Sequence, residues 1–203
     1  MLYIISMKII HILIVLIVYI FFVYYPDLLK LGIKSYRLIN FIDKDNSYKI
    51  MCEFDDVCRK YNVKYFLSEG TALGIYRDGD LIKWDDDIDF AMDEENSIKF
   101  EKYCVPELIL KKYIYMNSIS YTNFNMLSFI KNYHTIDVDR IIKGKKCTSK
   151  CGRLCDELFP HIQKIVFKKW RGRKWPVPSD SYYEYLYGPD WKTPRKTKNQ
   201  NFE

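Results

Sequence analysis

The run WDDDIDFAM alternates carboxylates with apolar residues. Carboxylates stand at Asp85, Asp87 and Asp89, while the apolar Ile88 and Phe90 occupy the alternate positions. A period of two predicts a β-strand whose successive side chains point to opposite faces of a sheet. We therefore expect one buried apolar face and one face that crowds carboxylates together.

Crowded carboxylates are unfavourable unless another group compensates their charge. Two of them about 4 Å apart repel by roughly 4 kcal/mol at an effective dielectric of about 20. A bound divalent cation reverses that cost, and carboxylate oxygens favour Mg²⁺ or Mn²⁺. An acidic solvated loop is the main alternative. An EF-hand is disfavoured, because Phe90 stands where its glycine belongs and Asn96 where its glutamate belongs.

The segments before the acidic run predict a helix, a strand and a short second helix. An amphipathic helix follows Ser47, a candidate N-cap, and VKYFL at residues 63–67 is typical of a buried strand. SEGTALGIYRDG then predicts a helix that begins at Gly70 or Thr71. Such a strand-glycine-helix junction exposes backbone N–H groups and is a frequent phosphate site. Asp86 is out of phase with its neighbours, and we expect it in a turn before the acidic strand.

The amino-terminal region predicts a membrane anchor. Residues 9–25 carry no formal charge and end at Pro26, and at 1.5 Å per residue they span roughly 25 Å, just enough to cross a bilayer. A cleaved signal peptide is disfavoured, because no alanine precedes Ala72 to form a small-residue cleavage site. The predicted organisation is a tail, an anchor, a stem, a folded domain and a polar tail, at residues 1–8, 9–25, 26–46, 47–194 and 195–203.

Composition favours a globular domain and disfavours nucleic-acid binding. The chain is 48% hydrophobic and 17% aromatic, which argues against disorder. Its formal net charge of +6 is not organised into a basic stripe. The one basic run, KKWRGRK at residues 168–174, predicts a solvated hairpin around Gly172. We expect no nucleic acid among the partners.

A cysteine-rich segment offers a second candidate site. Cys147, Cys151, Cys155 and His161 lie close together in CTSKCGRLCDELFPH. They are suited to a structural Zn²⁺, although C-x3-C-x3-C is not a common zinc-finger spacing. Disulfides, which would suit a secretory lumen, and free thiols are the alternatives. The sequence leaves these three states open.

Two longer motifs resemble the LicD/fukutin family of nucleotidyltransferase-fold phosphotransferases. They are FLSEGTALGIYRDGDLIKWDDDID and the carboxyl-terminal YYEYLYGPDWKTP, and the resemblance covers residues 47–194. It implies a mixed α/β (α+β) fold, a nucleotidyltransferase-like mixed sheet flanked by helices, here preceded by a transmembrane helix. It also implies metal-dependent transfer of a substituted phosphate, of polyol phosphate or phosphocholine type, from a CDP-linked alcohol donor to a sugar hydroxyl of a glycan. The expected location is a single-pass membrane, either of the endoplasmic reticulum or Golgi with a lumenal domain, or a host membrane if the protein is viral.

The resemblance also assigns roles to individual residues. Asp87 and Asp89 match the paired metal ligands, and HTIDVDRII supplies the third as Asp137, with Asp139 as a substitute. These carboxylates are also the expected catalytic groups. The residues that match the donor phosphate-binding positions are Gly70, Thr71 and Arg77.

The sequence departs from the family pattern at two points. Glu69 follows Ser68 where the family commonly has Asp-Gly or Gly-Gly, and Lys83 replaces the usual proline before Trp84. A carboxylate at position 69 can repel a phosphate donor or add a metal ligand. The alternative function is therefore that of a catalytically inactive relative that binds glycans or partner proteins.

Overall fold

The computed structural model describes residues 12–17, 43–116, 126–145 and 155–195. Residues 12–17 are helical and exposed. Within the described ranges, no helix has both the length and the apolar character needed to cross a membrane. The rest of the predicted anchor at residues 9–25 lies outside these ranges, as do the tail at residues 1–8 and most of the predicted stem.

The folded domain begins with helix α1, Lys44–Lys60. Its N-cap is Asp43, whose side chain accepts hydrogen bonds from two backbone N–H groups of the first turn. The prediction of Ser47 as the N-cap was wrong, because Ser47 is fully buried within the helix. The predicted apolar stripe is confirmed at Ile50, Phe54 and Val57, which are all buried.

A five-stranded mixed sheet has the order β1-β2-β5-β4-β3. Strands β2 and β5 are parallel, and the other neighbouring pairs are antiparallel. The predicted strand at residues 63–67 is shorter than expected, because only its last two residues pair. The strands are β1 Phe66–Leu67, β2 Asp87–Asp93, β3 Ile114–Met116, β4 Met126–Lys131 and β5 His134–Ile141.

Short helices connect these strands. Between β1 and β2 the chain forms α2 and a π-helical turn, and between β2 and β3 it forms α3, a second π-helical turn and α4. These elements are α2 Glu69–Leu73, a π-turn Gly74–Asp78, α3 Glu94–Lys99, a π-turn Phe100–Cys104 and α4 Val105–Leu110. The start of β2 at Asp87 leaves Asp86 before the strand, as predicted.

One face of the sheet forms the main core. Phe90 in β2 stacks on Phe54 of α1 with ring centroids 3.8 Å apart, and Phe100 and Tyr65 pack around the pair. The alternate residues of β2 and β5 point to the other face. The predicted mixed α/β fold, a sheet with helices packed on it, is therefore confirmed.

The carboxyl-terminal part adds a hairpin and a helix. Strands β6 Ile165–Trp170 and β7 Arg173–Pro178 pair through a two-residue turn in which Gly172 has φ +86°, which confirms the predicted hairpin. The preceding helical segments are α5 Cys155–Leu158 and a 3-10 turn Phe159–His161. Helix α6, Asp180–Tyr187, closes the domain and carries the buried Tyr182 and Tyr183.

Candidate active site

The parallel register of β2 and β5 brings the predicted carboxylates to one face. Asp89 lies opposite Asp137, and Asp87 lies opposite Thr135 in the preceding row. Neighbouring strands are about 4.8 Å apart, so side chains in one row are in reach of each other. Asp139 pairs with Ala91 in the next row. Asp137 is therefore the β5 carboxylate adjacent to Asp89, and its predicted role as the third metal ligand stays a prediction.

Among the residues that the structure describes, Asp85, Asp87 and Asp89 form a tight carboxylate cluster. One oxygen from each lies within 4.8 Å of the others, which is the spacing of groups that can share one metal ion. Asp85 precedes β2 and was expected on the same face, but it was not assigned as a ligand. Asp137 lies beside this cluster and is not one of its three members. The structure thus extends the predicted acidic site by one residue that the alternation itself had indicated.

The Asp85 carboxylate packs directly against Gly70. A Cβ at position 70 would lie 2.2 Å from Oδ2 of Asp85, which is shorter than any real contact. Glycine leaves room for the carboxylate at this point, and any larger residue would force the Asp85 side chain to move. The predicted phosphate-binding glycine is therefore in contact with the acidic cluster.

Thr71 fixes the backbone between the two central carboxylates. Its Oγ1 accepts the N–H of Asp89 at 3.0 Å and donates to the carbonyl oxygen of Asp87 at 3.5 Å. Thr71 is 1% exposed, so these bonds are shielded from water. In this structure its hydroxyl holds the acidic strand in place, while its predicted role in phosphate binding stays a prediction.

Burial and mutual repulsion set the electrostatics of the site. Asp87 and Asp89 are each 8% exposed, and Asp137 is 9% exposed. Burial, followed by the charges of Asp87 and Asp85, raises the pKa of Asp89 well above its ordinary value. Glu69 and Asp137 raise it further. A divalent cation would remove this repulsion, so the oxygen set fits Mg²⁺ or Mn²⁺.

Glu69 lies at the edge of this acidic site in a backbone conformation that favours glycine. Its φ is +46°, in the left-handed region. Its N–H donates to the Tyr182 hydroxyl oxygen at 3.1 Å. The conformation explains why glycine is the usual family residue here, and the charge of Glu69 acts on Asp89.

Two tyrosines of α6, Tyr182 and Tyr187, complete the surroundings of the acidic site, and neither was predicted as a site residue. Burial and then the charge of Glu69 raise the pKa of Tyr182. Tyr187 has its pKa raised by burial and then by Glu69, with contributions from Asp85 and Asp89. The signal was present in YYEYLYG, where these tyrosines belong to the carboxyl-terminal family motif. Helix α6 therefore packs against the same site as α2 and β2.

Arg77 connects the two family motifs. Its Nε and Nη2 each donate to a carboxylate oxygen of Asp78 at 2.7 Å, and its Nη1 donates to the Trp191 carbonyl oxygen at 3.2 Å. Beside it, Tyr76 packs against Trp191 and Tyr183. Through its own bonds, Arg77 joins the turn at Asp78 to the segment at Trp191. Its predicted contact with donor phosphate stays a prediction.

The cysteine-rich segment is only partly described. Cys155 is buried and disulfide-bonded, so its sulfur is not a thiolate that can bind zinc in this structure. The ring of His161 stacks on Tyr185 with centroids 4.5 Å apart. Cys147 and Cys151 lie outside the described residues. The remaining cysteines, Cys52, Cys58 and Cys104, are free thiols.

Two solved structures align with this chain at low sequence identity. The chain aligns with ANT(2″)-Ia, solved in complex with adenylyl-2″-tobramycin, at TM-score 0.50 and 14% identity over 71% of this chain and 77% of that chain. It aligns with TM1012 of Thermotoga maritima at TM-score 0.45 and 16% identity over 73% of this chain and 84% of that chain. The first of these likenesses supports the fold alone.

Sequence comparison assigns the family. RT0683 of Rickettsia typhi is 34% identical over 55 residues, which are 27% of this chain and 18% of that protein. Residues 62–178, more than half of the chain, match the family described as LicD/FKTN/FKRP, nucleotidyltransferase domain. This match agrees with the mixed sheet and supports a phosphotransferase type of function. The chain belongs to the LicD/FKTN/FKRP family.

Proposed function

We propose that this protein is a metal-dependent transferase that moves a substituted phosphate from a CDP-linked alcohol to a sugar hydroxyl of a glycan. The substituted phosphate would be a polyol phosphate or phosphocholine. The observation that carries the proposal is the convergence of Asp85, Asp87 and Asp89 within 4.8 Å, with Asp137 in the next strand. The predicted anchor at residues 9–25 would hold the enzyme at a bilayer, where the glycan acceptor is also expected.

The three clustered carboxylates would hold the divalent cation. They are largely buried or half-buried, oxygen-only and mutually repulsive, which is the chemistry that Mg²⁺ and Mn²⁺ stabilise. Such a cation supplies charge neutralisation and orientation to phosphate oxygens. Thr71 keeps the ligands in register through its bonds to the backbone of Asp87 and Asp89.

Asp137 is the proposed base for the acceptor hydroxyl. It lies next to Asp89 in the β2 and β5 register but outside the tight three-carboxylate cluster. A carboxylate in this position can accept a proton from a sugar hydroxyl that is held over the sheet. CMP would then be the leaving group.

The first turn of α2 is the proposed site for the donor phosphates. Gly70 lies against Asp85, so the backbone of this turn is adjacent to the acidic cluster. A phosphate that is bound beside the cation would meet this glycine backbone. Arg77 is the predicted cationic contact, although its described bonds are to Asp78 and Trp191.

A donor screen tests the proposal. The full chain in detergent is incubated with Mg²⁺, a sugar acceptor and CDP-ribitol, CDP-choline or CDP-glycerol, and CMP release is measured. We expect one donor to give acceptor-dependent CMP that is abolished by a chelator and restored by Mg²⁺ or Mn²⁺. An absence of CMP release with every donor, from protein that still binds Mn²⁺, would contradict a CDP-alcohol donor.

Glu69 favours a second candidate, a relative without turnover that binds glycans or partner proteins. Its charge acts on Asp89, and a carboxylate there opposes a phosphate donor. In this case, glycan binding would persist in the presence of a chelator, and CMP release would be absent. If Glu69→Gly then gained CMP release, Glu69 would be identified as the group that blocks the donor.

A further inference from the structure

One end of the domain exposes large apolar side chains among lysines. Leu110, Ile114 and Tyr133 are 83%, 53% and 69% exposed. Lys111 and Lys112 lie between the first two in the sequence, and Lys112 is exposed. Apolar side chains exposed to this degree beside cationic ones mark a surface suited to an interaction.

These residues form one continuous surface, because two turns of the chain meet there. Ile114 pairs with Ile130 across β3 and β4. Lys131 donates from Nζ to the carbonyl oxygen of Lys111 and lies 4.6 Å from the ring centroid of Tyr113. We call this surface the basic-apolar end, and its members are Leu110, Lys111, Lys112, Ile114, Lys131 and Tyr133.

The basic-apolar end is also where the chain enters the domain. Asn46, in the first turn of α1, donates to the carbonyl oxygen of Asn132 at 3.4 Å and accepts from the Asn132 amide at 3.2 Å. Farther along the same helix, Glu53 pairs with Lys131 at 3.2 Å and with Lys111 at 3.9 Å. The first half of α1 therefore lies against the two turns that form this end.

We propose that the basic-apolar end docks on the anionic phospholipid surface of the membrane in which residues 9–25 are predicted to be anchored. Leucine, isoleucine and tyrosine side chains suit the boundary between headgroups and acyl chains. The exposed Lys112 and the half-buried Lys111 beside them suit lipid phosphates, whereas the ammonium of Lys131 is held inside by Glu53. The acidic side chain described in contact with these lysines is Glu53, so the charge of the surface is positive on balance.

The position of the predicted anchor favours a bilayer over a separate protein partner. Residues 26–42 join the anchor to α1, and at about 3.5 Å per residue they can extend at most roughly 60 Å. The domain thus stays close to the bilayer, and the end nearest to its point of attachment is the one that bears the apolar and cationic side chains. Docking would convert this loose attachment into a fixed orientation.

Docking at this end would also set the place of the reaction. His134, the first residue of β5, contacts Asn46 through its Nδ1 at 3.2 Å, and the adjacent Thr135 pairs with Asp87. The acidic strand β2 therefore begins near the basic-apolar end. A docked domain would hold its carboxylates close to the membrane, within reach of an acceptor that is attached there.

Hydrogen exchange of the full chain on vesicles tests this inference. The protein is reconstituted into phosphatidylcholine vesicles with or without 30% phosphatidylglycerol, and amide exchange is followed by mass spectrometry. We expect the amides of residues 110–114 and 131–134 to exchange about tenfold more slowly on the anionic vesicles. Peptides from α3, which follows the opposite end of β2 and exposes Ile98, should not change.

A pair of charge reversals provides the matched control. The double variant Lys111→Glu/Lys112→Glu should lose the slowed amide exchange on anionic vesicles. The double variant Lys99→Glu/Lys102→Glu changes the net charge equally, but near α3, and should keep it. If the chain floats with both kinds of vesicle but its amides exchange equally on both, docking is overturned and the anchor remains. Failure of the chain to float with either vesicle would overturn both. Loss of protection in both double variants would also overturn docking, because bulk charge would then explain it.

Discussion

The two faces of strand β2 are both buried, yet they differ completely in chemistry. On one face, Ile88 and Phe90 are 0% exposed and pack into the main core. On the other, Asp87 and Asp89 are each 8% exposed and lie among other carboxylates. The first face stabilises the domain by removing apolar area from water. The second costs stability when no cation is present, which is a property expected of a site kept for function.

The strongest test of this contrast is Asp89→Asn, which changes only the acidic face. We expect CMP release to fall on the order of 10³-fold, because a metal ligand is lost while the side-chain size is kept. The folded protein should be at least as stable as wild type in a chelator, because one repelling charge is gone. The measurements are the donor assay and thermal unfolding. Undiminished transfer would remove Asp89 from the mechanism.

Phe90→Ala changes the apolar face at the neighbouring position, and it should lower stability while leaving metal binding unchanged. Phe90 stacks on Phe54 at 3.8 Å between ring centroids and is fully buried. We expect the free energy of unfolding to fall by about 3–5 kcal/mol through lost burial and a cavity. Urea denaturation measures this loss. Mn²⁺ affinity of the fraction that remains folded should be nearly unchanged, and a large drop would show that the two faces are not independent.

Much of this contrast could be predicted from the sequence, because a period of two assigns side chains to faces without any tertiary knowledge. The shared face of Asp85, Asp87 and Asp89, and the place of Asp86 before the strand, followed from this period. The choice of Asp137 needed the family resemblance, since Asp137 and Asp139 have the same parity. Only the register of β2 with β5 places Asp137 opposite Asp89.

The remaining features depend on contacts between distant segments. The packing of Asp85 on Gly70 and the bonds of Thr71 to β2 join residues whose approach no local pattern fixes. The N-cap was misplaced for a local reason, because Ser47 and Asp43 are both good caps and the helix extends one turn farther than its apolar stripe indicates. The length of β1 could not be predicted either, since an apolar run does not reveal how many of its residues pair with a neighbouring strand.

Gly70→Ala should damage the acidic face without a comparable effect on the core. The new Cβ would displace the Asp85 carboxylate, which now lies 2.2 Å from that position. We expect Mn²⁺ affinity, measured by calorimetry, to fall about 10–100-fold. Asp85→Asn should cause a similar loss, and the double variant should lose little more than either single variant. Additive losses would show that Gly70 acts through something other than Asp85.

The pH dependence of the metal-free protein should reveal the repulsion directly. The pKa of Asp89 is raised above its ordinary value of 3.8, so the folded state holds this proton more tightly than the unfolded chain does. Its contribution to stability is therefore present below the unfolded pKa and is lost as pH rises through the raised pKa. Thermal unfolding in a chelator should show this loss in wild type but less of it in Asp89→Asn. Mn²⁺ affinity should fall as pH drops through the same range, because the cation needs the ionised carboxylate.

Glu69 allows the smallest and most specific test, because two substitutions separate its backbone strain from its charge. Glu69→Gly removes the charge and also the strain of a φ of +46°, because glycine adopts this φ freely. Glu69→Gln removes only the charge. Both variants should lower the pKa of Asp89, since both delete a carboxylate that raises it. The free energy of unfolding of Glu69→Gly should exceed that of Glu69→Gln by about 1 kcal/mol, measured by urea denaturation. Equal stabilities would mean that the left-handed conformation at position 69 carries no strain, and the family preference for glycine there would then reflect charge alone.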